Sequence, residues 1–450
     1  MIQDLTAGDS GKVLFRYTVP MFISVAFQQI YNIADSMIAG RFAGEDALAA
    51  VGASYPVTMI FMAVAIGCNI GCSVVISQLF GAKQYRQLKT AVSTVLLVGF
   101  ALSALLTLLG LLTTPSMMRM IRTPDNIFRD GVLYLRIYIG GFVFLFLYNV
   151  VTGMFNSLGD SKTPLYFLIG SSVGNILLDL LFVAVFEWGV AGVAWATFLA
   201  QGAACILVVF VFRIRLGEID ALSESDWDKG KRPALFSGAM LGKITLVAVP
   251  SILQQSFVSV GNIFIQSLVN SYGSDVIAGY SAAIKLNTFV ITGFTTLGNG
   301  VSGFTAQNLG AGQIRRIREG FRAGMKLAIG VAVCFSLLYF FPGKVMMRLF
   351  LKNTEGMAMQ AGVMFLRLVA PFYVVVSLKL VADGVLRGAE AMRCFMISTF
   401  TDLILRVILA YILSGRFAST GIWMSWPVGW SVATVLSLYF YRKVTRQIED

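Results

Sequence analysis

Long apolar runs joined by short polar connections dominate this chain. Runs of at least about 18 apolar residues are read as membrane helices, and twelve are predicted. They lie at roughly 17–40, 56–80, 91–112, 133–155, 164–186 and 190–212, then 244–270, 278–309, 323–341, 361–386, 395–414 and 421–441. Thr163-Pro164 reads as a helix start, with a cap oxygen followed by proline in the first turn. Pro115 and Pro342 each read as the close of an apolar run. The one long polar stretch, 213–243, separates six runs from six.

The two sets of six match each other when shifted by about 230 residues. Val19-Pro20 answers Val249-Pro250, Asn32-Ile33 answers Asn262-Ile263, and DALAA at 46–50 answers DVIAG at 275–279. Gln78, Gly81, Ala82 and Arg86 meet Gln307, Gly310, Ala311 and Arg315. Arg136 meets Arg367 and Gly153 meets Gly384. An even number of spans sends both halves into the membrane from the same side, so the repeat is parallel, as in alternating-access machines. The expected fold is an all-α integral membrane protein: twelve transmembrane helices in two pseudo-symmetric six-helix lobes around a central cleft. The expected boundaries are 1–225 for the first lobe, 226–243 for a cytoplasmic linker and 244–450 for the second lobe.

Composition agrees with a lipid environment. Of 450 residues 57% are hydrophobic and 13% charged, against about a quarter charged in soluble domains. The net charge of +12 would suit nucleic acid only on a basic surface domain. Counted by connection, one alternate set holds 22 Lys and Arg and the opposite set 8, so the excess marks orientation and both termini are expected in the cytoplasm. The first twelve residues are polar and lack the apolar core of a leader, so the first span is expected to stay in the mature chain. Localisation is expected in the plasma or inner membrane, and partners are expected to be the lipid bilayer and small molecules.

Several chemistries drop out. Histidine is absent, which removes imidazole nucleophile systems and HExxH zinc sites. The five cysteines (Cys68, Cys72, Cys205, Cys334 and Cys394) form no CxxC and read as small buried hydrophobes. The string from Gly238 to Thr245 has the wrong spacing for a phosphate-binding loop. No cofactor is expected, and transport against a gradient would draw on H⁺, Na⁺ or the membrane potential, the last worth about 2.3 kcal/mol per charge per 100 mV.

Ionisable residues inside spans are costly and therefore informative. Lys379 with Asp383, and Asp402 with Arg406, are four apart and can neutralise each other locally. Asp35 and Asp179 have no basic residue one turn away. Gln28, Tyr31 and Asn32 share a polar stripe with Asp35; Asn175 precedes Asp179 by one turn, and Thr197 on the next span can reach the same cluster. Shifted into the second half, Asp35 becomes Ile265, and Asn175 and Asp179 become Arg406 and Ala410. Two carboxylates in low dielectric cannot both stay ionised cheaply, so the pair can hold a proton, bind Na⁺ through Asp35, Asn175 and Asp179, or compete for an organic cation. Asp35, Asn175, Asp179 and Thr197 are the candidate ion-coupling residues. Gln28, Tyr31, Asn32 and Gln255 are the candidate substrate contacts.

FQQIYNIADSMIAGRFAGEDALAAVGAS, QLFGAKQYRQLK, AQNLGAGQIRRIREG and GVLRGAEAMR together resemble the multidrug and toxic compound extrusion (MATE) family, over essentially the whole chain. The resemblance implies a twelve-helix antiporter, not an enzyme, that exports cationic or amphipathic organic compounds in exchange for H⁺ or Na⁺ and works as a monomer. Asp35, the Asn175-xxx-Asp179 pattern and Thr197 resemble the cation site of its DinF-like branch. Where the NorM-like branch has a seventh-helix acid, this chain has Gln254-Gln255, which puts a second-lobe cation site in doubt. One alternative is a flippase for lipids or lipid-linked oligosaccharides, which Arg136, Arg367 and Arg406 would serve if they faced a cavity. A membrane diaspartyl protease is a third possibility, but the glycine-flanked context it needs is missing.

Overall fold

The computed structural model describes residues 3–222, 233–351 and 355–449, so positions 226–232 of the expected linker lie outside the described residues. Among these residues every regular element is helical. The first six runs become α1 (Ser10–Ile38), α2 (Glu45–Gly81), α3 (Tyr85–Met120), α4 (Asp125–Gly140) with α5 (Phe142–Ser157), α6 (Lys162–Asp179) and α7 (Gly189–Leu222). The second six become α8 (Gly238–Asn270), α9 (Ser274–Gly310), α10 (Ile314–Phe340), the short α11 (Gly343–Met347), α12 (Met357–Val369) with α13 (Tyr373–Gly388), and α14 (Met392–Glu449).

Ten continuous helices and one pair, α4 with α5 bent by 47°, are long and apolar enough to cross a bilayer. Non-helical Phe417 and Ala418 divide α14 into two segments, which brings the total to the expected twelve. Pro115 is a correction: α3 continues through it to Met120. An interior proline removes one backbone bond, the one to the Leu111 carbonyl, and a membrane helix can lose that bond without ending. Pro342 does stand beyond the end of α10. At the start of α6 the capping oxygens come from Asp160, which accepts from both the N–H and the hydroxyl of Thr163. Cys334 is exposed, unlike Cys72 and Cys205.

Two compact units emerge: Met1–Asp4 with Ile23–Leu253, and Leu5–Phe22 with Gln254–Asp450. The expected boundaries followed the chain, whereas each unit takes the opening of a helix from the other half. In the first unit, α8 approaches α2 so closely that a Cβ on Gly67 or Gly71 would meet Ile252 at 2.3 Å or Ala248 at 2.6 Å. In the second, α1 approaches α9 in the same way, and a Cβ on Gly300 would meet Thr18 at 2.3 Å. Thr18 and Ala248 are 230 apart and Gly71 and Gly300 are 229 apart, so the exchange is reciprocal.

The second-half motif AQNLGAGQIRRIREG anchors the incoming segment. Gln307 Oε1 accepts from the Leu5 N–H at 3.0 Å, Asn308 donates to the Leu5 carbonyl at 3.2 Å, and Arg316 donates to the carbonyls of Leu5 and Gly8. Each unit has its own apolar core. In the first, Phe61, Phe142, Phe146 and Phe155 join α2, α4–α5 and α7; in the second, Phe365, Tyr373, Trp423, Trp426 and Trp430 join α9, α12–α13 and α14. The tryptophan stripe is thus interior packing.

Candidate ion-coupling site

Three helices of the first unit bring the sequence-predicted residues together. Tyr31 and Asp35 stand one turn apart near the end of α1, Asn175 and Asp179 one turn apart at the end of α6, and Thr197 on α7. Both aspartates stand at a change of helix type. α1 passes into a π-helical turn at Ala39–Ala43, four residues beyond Asp35, and α6 passes into one at Leu180–Val185, immediately after Asp179. The two π turns pack on each other and on α7. Such turns carry one extra residue per turn, re-aim the side chains beside them and recur at functional positions.

Asn175 organises the cluster. With each end of its amide facing a complementary partner, its nitrogen donates to Asp179 Oδ2 at 2.8 Å and to the Tyr31 hydroxyl at 2.9 Å, and its oxygen accepts from the Thr197 N–H at 3.1 Å. Asn175 and Asp179 are almost fully buried, 2% and 1% exposed. The carboxyls of Asp35 and Asp179 lie within hydrogen-bonding reach of each other. Each keeps its Oδ1 buried without a hydrogen-bond partner, and these are the atoms on which an arriving proton or cation would land.

Tyr134 was not anticipated. It is buried on α4 beside both carboxyls, and its ring stacks on Tyr138 at 6.2 Å between centroids. A tyrosine on an amphipathic helix looks like ordinary packing, so the only available signal was its correspondence with Phe365, 231 residues on, which lacks the hydroxyl. Gln28 and Asn32 are exposed on α1, and Gln255 belongs to the second unit; the structure does not bring them into the carboxyl cluster. Among the described residues no three His, Cys, Asp or Glu gather, so the donors here are two carboxylates, an amide and hydroxyls, a set for a proton or a hard cation rather than a transition metal.

The intramembrane charges of the second unit behave differently. Lys379 Nζ donates to Asp383 Oδ2 at 2.7 Å with both groups buried, as the spacing predicted. Asp383 Oδ1 accepts from Ser437 at 2.6 Å, and Ser437 meets Ser398 at 2.5 Å. Asp402 and Arg406 correct the expectation of a second local pair. The Arg406 guanidinium lies 4.4 Å from the centre of the Trp426 ring, and Asp402 keeps Oδ1 without a partner. The guanidinium lies over the indole face of another segment instead of closing on the carboxylate one turn back. Arg136 and Arg367 are both exposed.

Comparison with known proteins agrees with this architecture. The MatE family model matches twice, over residues 20–181 and 250–412, once in each half. A probable multidrug resistance protein of Bacillus subtilis, YoeA, is 28% identical over 439 residues, covering 96% of this chain and 93% of its own. A protein of Shewanella oneidensis named as a FAD transporter is 25% identical over 344 residues, covering 74% of this chain and 72% of its own. The solved outward-facing structure of a multidrug resistance MATE family transporter superposes with a TM-score of 0.89 at 22% identity, covering 100% of this chain and 98% of its own. The fold is that of the twelve-helix MATE transporters, and a chain matched by the family model in both halves, over most of its length, belongs to the MATE family of membrane transporters.

Proposed function

We propose that this protein is a proton-coupled antiporter that exports cationic or amphipathic organic compounds, with Asp35 and Asp179 as the exchanging pair. The observation that carries the proposal is the contact between two carboxyls deep in the first unit, one of them held by the Asn175 amide, with no basic residue one turn away on either helix. Side by side in low dielectric, two carboxylates repel. A proton held between them relieves that repulsion, and so does a cationic substrate nearby. Only one of the two is needed at a time, which is the minimum condition for exchange.

The donor set supports H⁺ over Na⁺. The Asn175 nitrogen, not its oxygen, faces Asp179, and the oxygen is occupied by the Thr197 N–H. Asn175 in this arrangement turns its donor to Asp179, and so steadies a carboxylate that gains and loses a proton. Thr197 Oγ1, 3.4 Å from the amide, and the Tyr31 hydroxyl complete the polar wall. No cofactor enters this scheme: the ion is cargo. A monomer contains every group it needs, and the termini face the cytoplasm of a plasma or inner membrane by the Lys and Arg count.

Lipid-linked or other anionic cargo would need basic groups free to receive it. Arg406 rests on Trp426 and Lys379 is bound to Asp383, which leaves the exposed Arg136 and Arg367 as the groups that reading would need. The relatives named for multidrug resistance and multidrug export point the same way. The test is ethidium flux in proteoliposomes under an imposed H⁺ or Na⁺ gradient. The H⁺ gradient should drive efflux, faster as the compartment receiving the drug is made more acidic, and Asp35→Asn should remove that dependence. Flux driven by Na⁺ alone, or an Asp35→Asn variant with the wild-type rate and pH dependence, would overturn the assignment.

A further inference from the structure

We propose that the first unit contains its own route for the coupling ion: a corridor of neutral hydroxyl and amide groups between α5, α6 and α7. It runs from the Asp35–Asp179 pair to the chain turn at 158–161. This rests on the ion-coupling role assigned above. At 1.5 Å per residue, Asp179, Asn175 and Ser171 descend one face of α6 in two steps of four residues, about 12 Å in all. Gln201 lies one turn beyond Thr197 on α7, and Tyr148, Thr152 and Asn156 descend α5 at the same spacing. The Tyr148 hydroxyl faces the hydroxyls of Thr152 and Ser171.

One of these groups is unexplained by packing: Gln201 Oε1 is buried with no hydrogen-bond partner. A protein does not hold buried polar atoms in this state without a use or a water partner, and a buried water needs two to four polar groups around it. Polar groups in series on three facing helices are what a file of water carrying a proton requires, and intramembrane polar chains mark such pathways.

The second unit shows the same positions closed. At a shift of 231, Tyr148, Thr152, Asn156 and Ser171 become Lys379, Asp383, Arg387 and Asp402; at 229, Thr197 and Gln201 become Trp426 and Trp430. A buried lysine bound to its own aspartate stands where Tyr148 and Thr152 stand, and two indoles replace the side chains on the last helix. A cation meets a buried lysine and a buried arginine, Lys379 and Arg387, and two indoles. The route is therefore a property of one half, and on the expected orientation it opens to the cytoplasm, where an inward-moving proton must be released.

Reconstituted Gln201→Leu and Thr152→Val, alone and combined, test it. Ethidium-driven proton release into the lumen corresponding to the cytoplasm should slow about tenfold in the double variant. The pH dependence of ethidium binding at equilibrium should be unchanged, and Gln201→Ser should recover part of the rate. In a background without the native cysteines, Thr152→Cys should react with a membrane-impermeant thiol reagent only from the side of the 158–161 turn. An undiminished proton release rate in the double variant, or reaction only from the opposite side, would overturn the route. If Asp35→Asn leaves the equilibrium pH dependence intact, the ion-coupling assignment fails instead, a result the corridor variants cannot mimic.

Discussion

In the first half Asn175 and Asp179 meet Tyr31 and Asp35, with Tyr134 buried in the same neighbourhood. In the second half the corresponding residues are Arg406, Ala410 and Phe365, and Ile265 stands for Asp35. The backbone repeats while the charge is inverted. Where the first half keeps two carboxyl oxygens open, the second carries a permanent cation stacked on an indole. Lys379 and Asp383 neutralise each other one turn apart. The difference separates a site whose charge is proposed to change from one that has its charge built in. A repeat of this kind does not need two ion sites, and the second half is free to serve as a rigid counterpart.

Substitutions can break that contrast. The largest effect is expected at the open pair: Asp35→Asn should abolish ion-dependent efflux in the proteoliposome assay while leaving a folded protein. Next is the fixed pair. Lys379→Met breaks the buried ion pair, leaving Asp383 with the Ser437 hydroxyl and the pull of Arg387, and should destabilise the protein by about 3 kcal/mol, read as a lowered unfolding midpoint in detergent. Lys379→Met combined with Asp383→Leu should recover only part of that loss, because the buried Arg387 then loses the carboxylate beside it. Arg406→Gln removes the cation over Trp426 and should cost about 1–2 kcal/mol by the same measurement, with the pH dependence of efflux unchanged. The smallest effect is expected from Tyr134→Phe, which gives the first half the residue of the second. Losing one hydroxyl beside the carboxyls should weaken the pH-dependent release of ethidium by only a few-fold, about 0.5–1.5 kcal/mol.

The span pattern, the repeat and the four residues Asp35, Asn175, Asp179 and Thr197 were readable because charge in an apolar run is costly and helical spacing converts position into facing direction. Asp402 with Arg406 shows the limit of that logic. Spacing permits a pair, but Trp426, on a different segment, competes for the guanidinium, and competition across helices is invisible to a local rule. Tyr134 and Gln201 were missed for a related reason: one tyrosine or glutamine in a greasy run has the same sequence signature whether it packs, bonds or holds water. Pro115 reads as a stop because a proline in an apolar run has the same local signature whether it ends a helix or costs it a single backbone bond. The unit boundaries were illegible because hydropathy marks where a helix lies and not which neighbours its two ends choose.

The reciprocal exchange of helix openings has a consequence for how the protein is made. The first unit needs residues up to Leu253, and the segment Leu5–Phe22 finds its own unit only among residues from Gln254 onward. During synthesis the amino-terminal segment emerges first and must wait for α9 and α10, so neither half is complete when the first 225 residues have been inserted. Two separately produced halves would each lack a wall and display an unpartnered glycine-lined groove, at Gly67 and Gly71 in one and at Gly300 in the other. The gene can repeat a half, but the chain must be assembled as one piece.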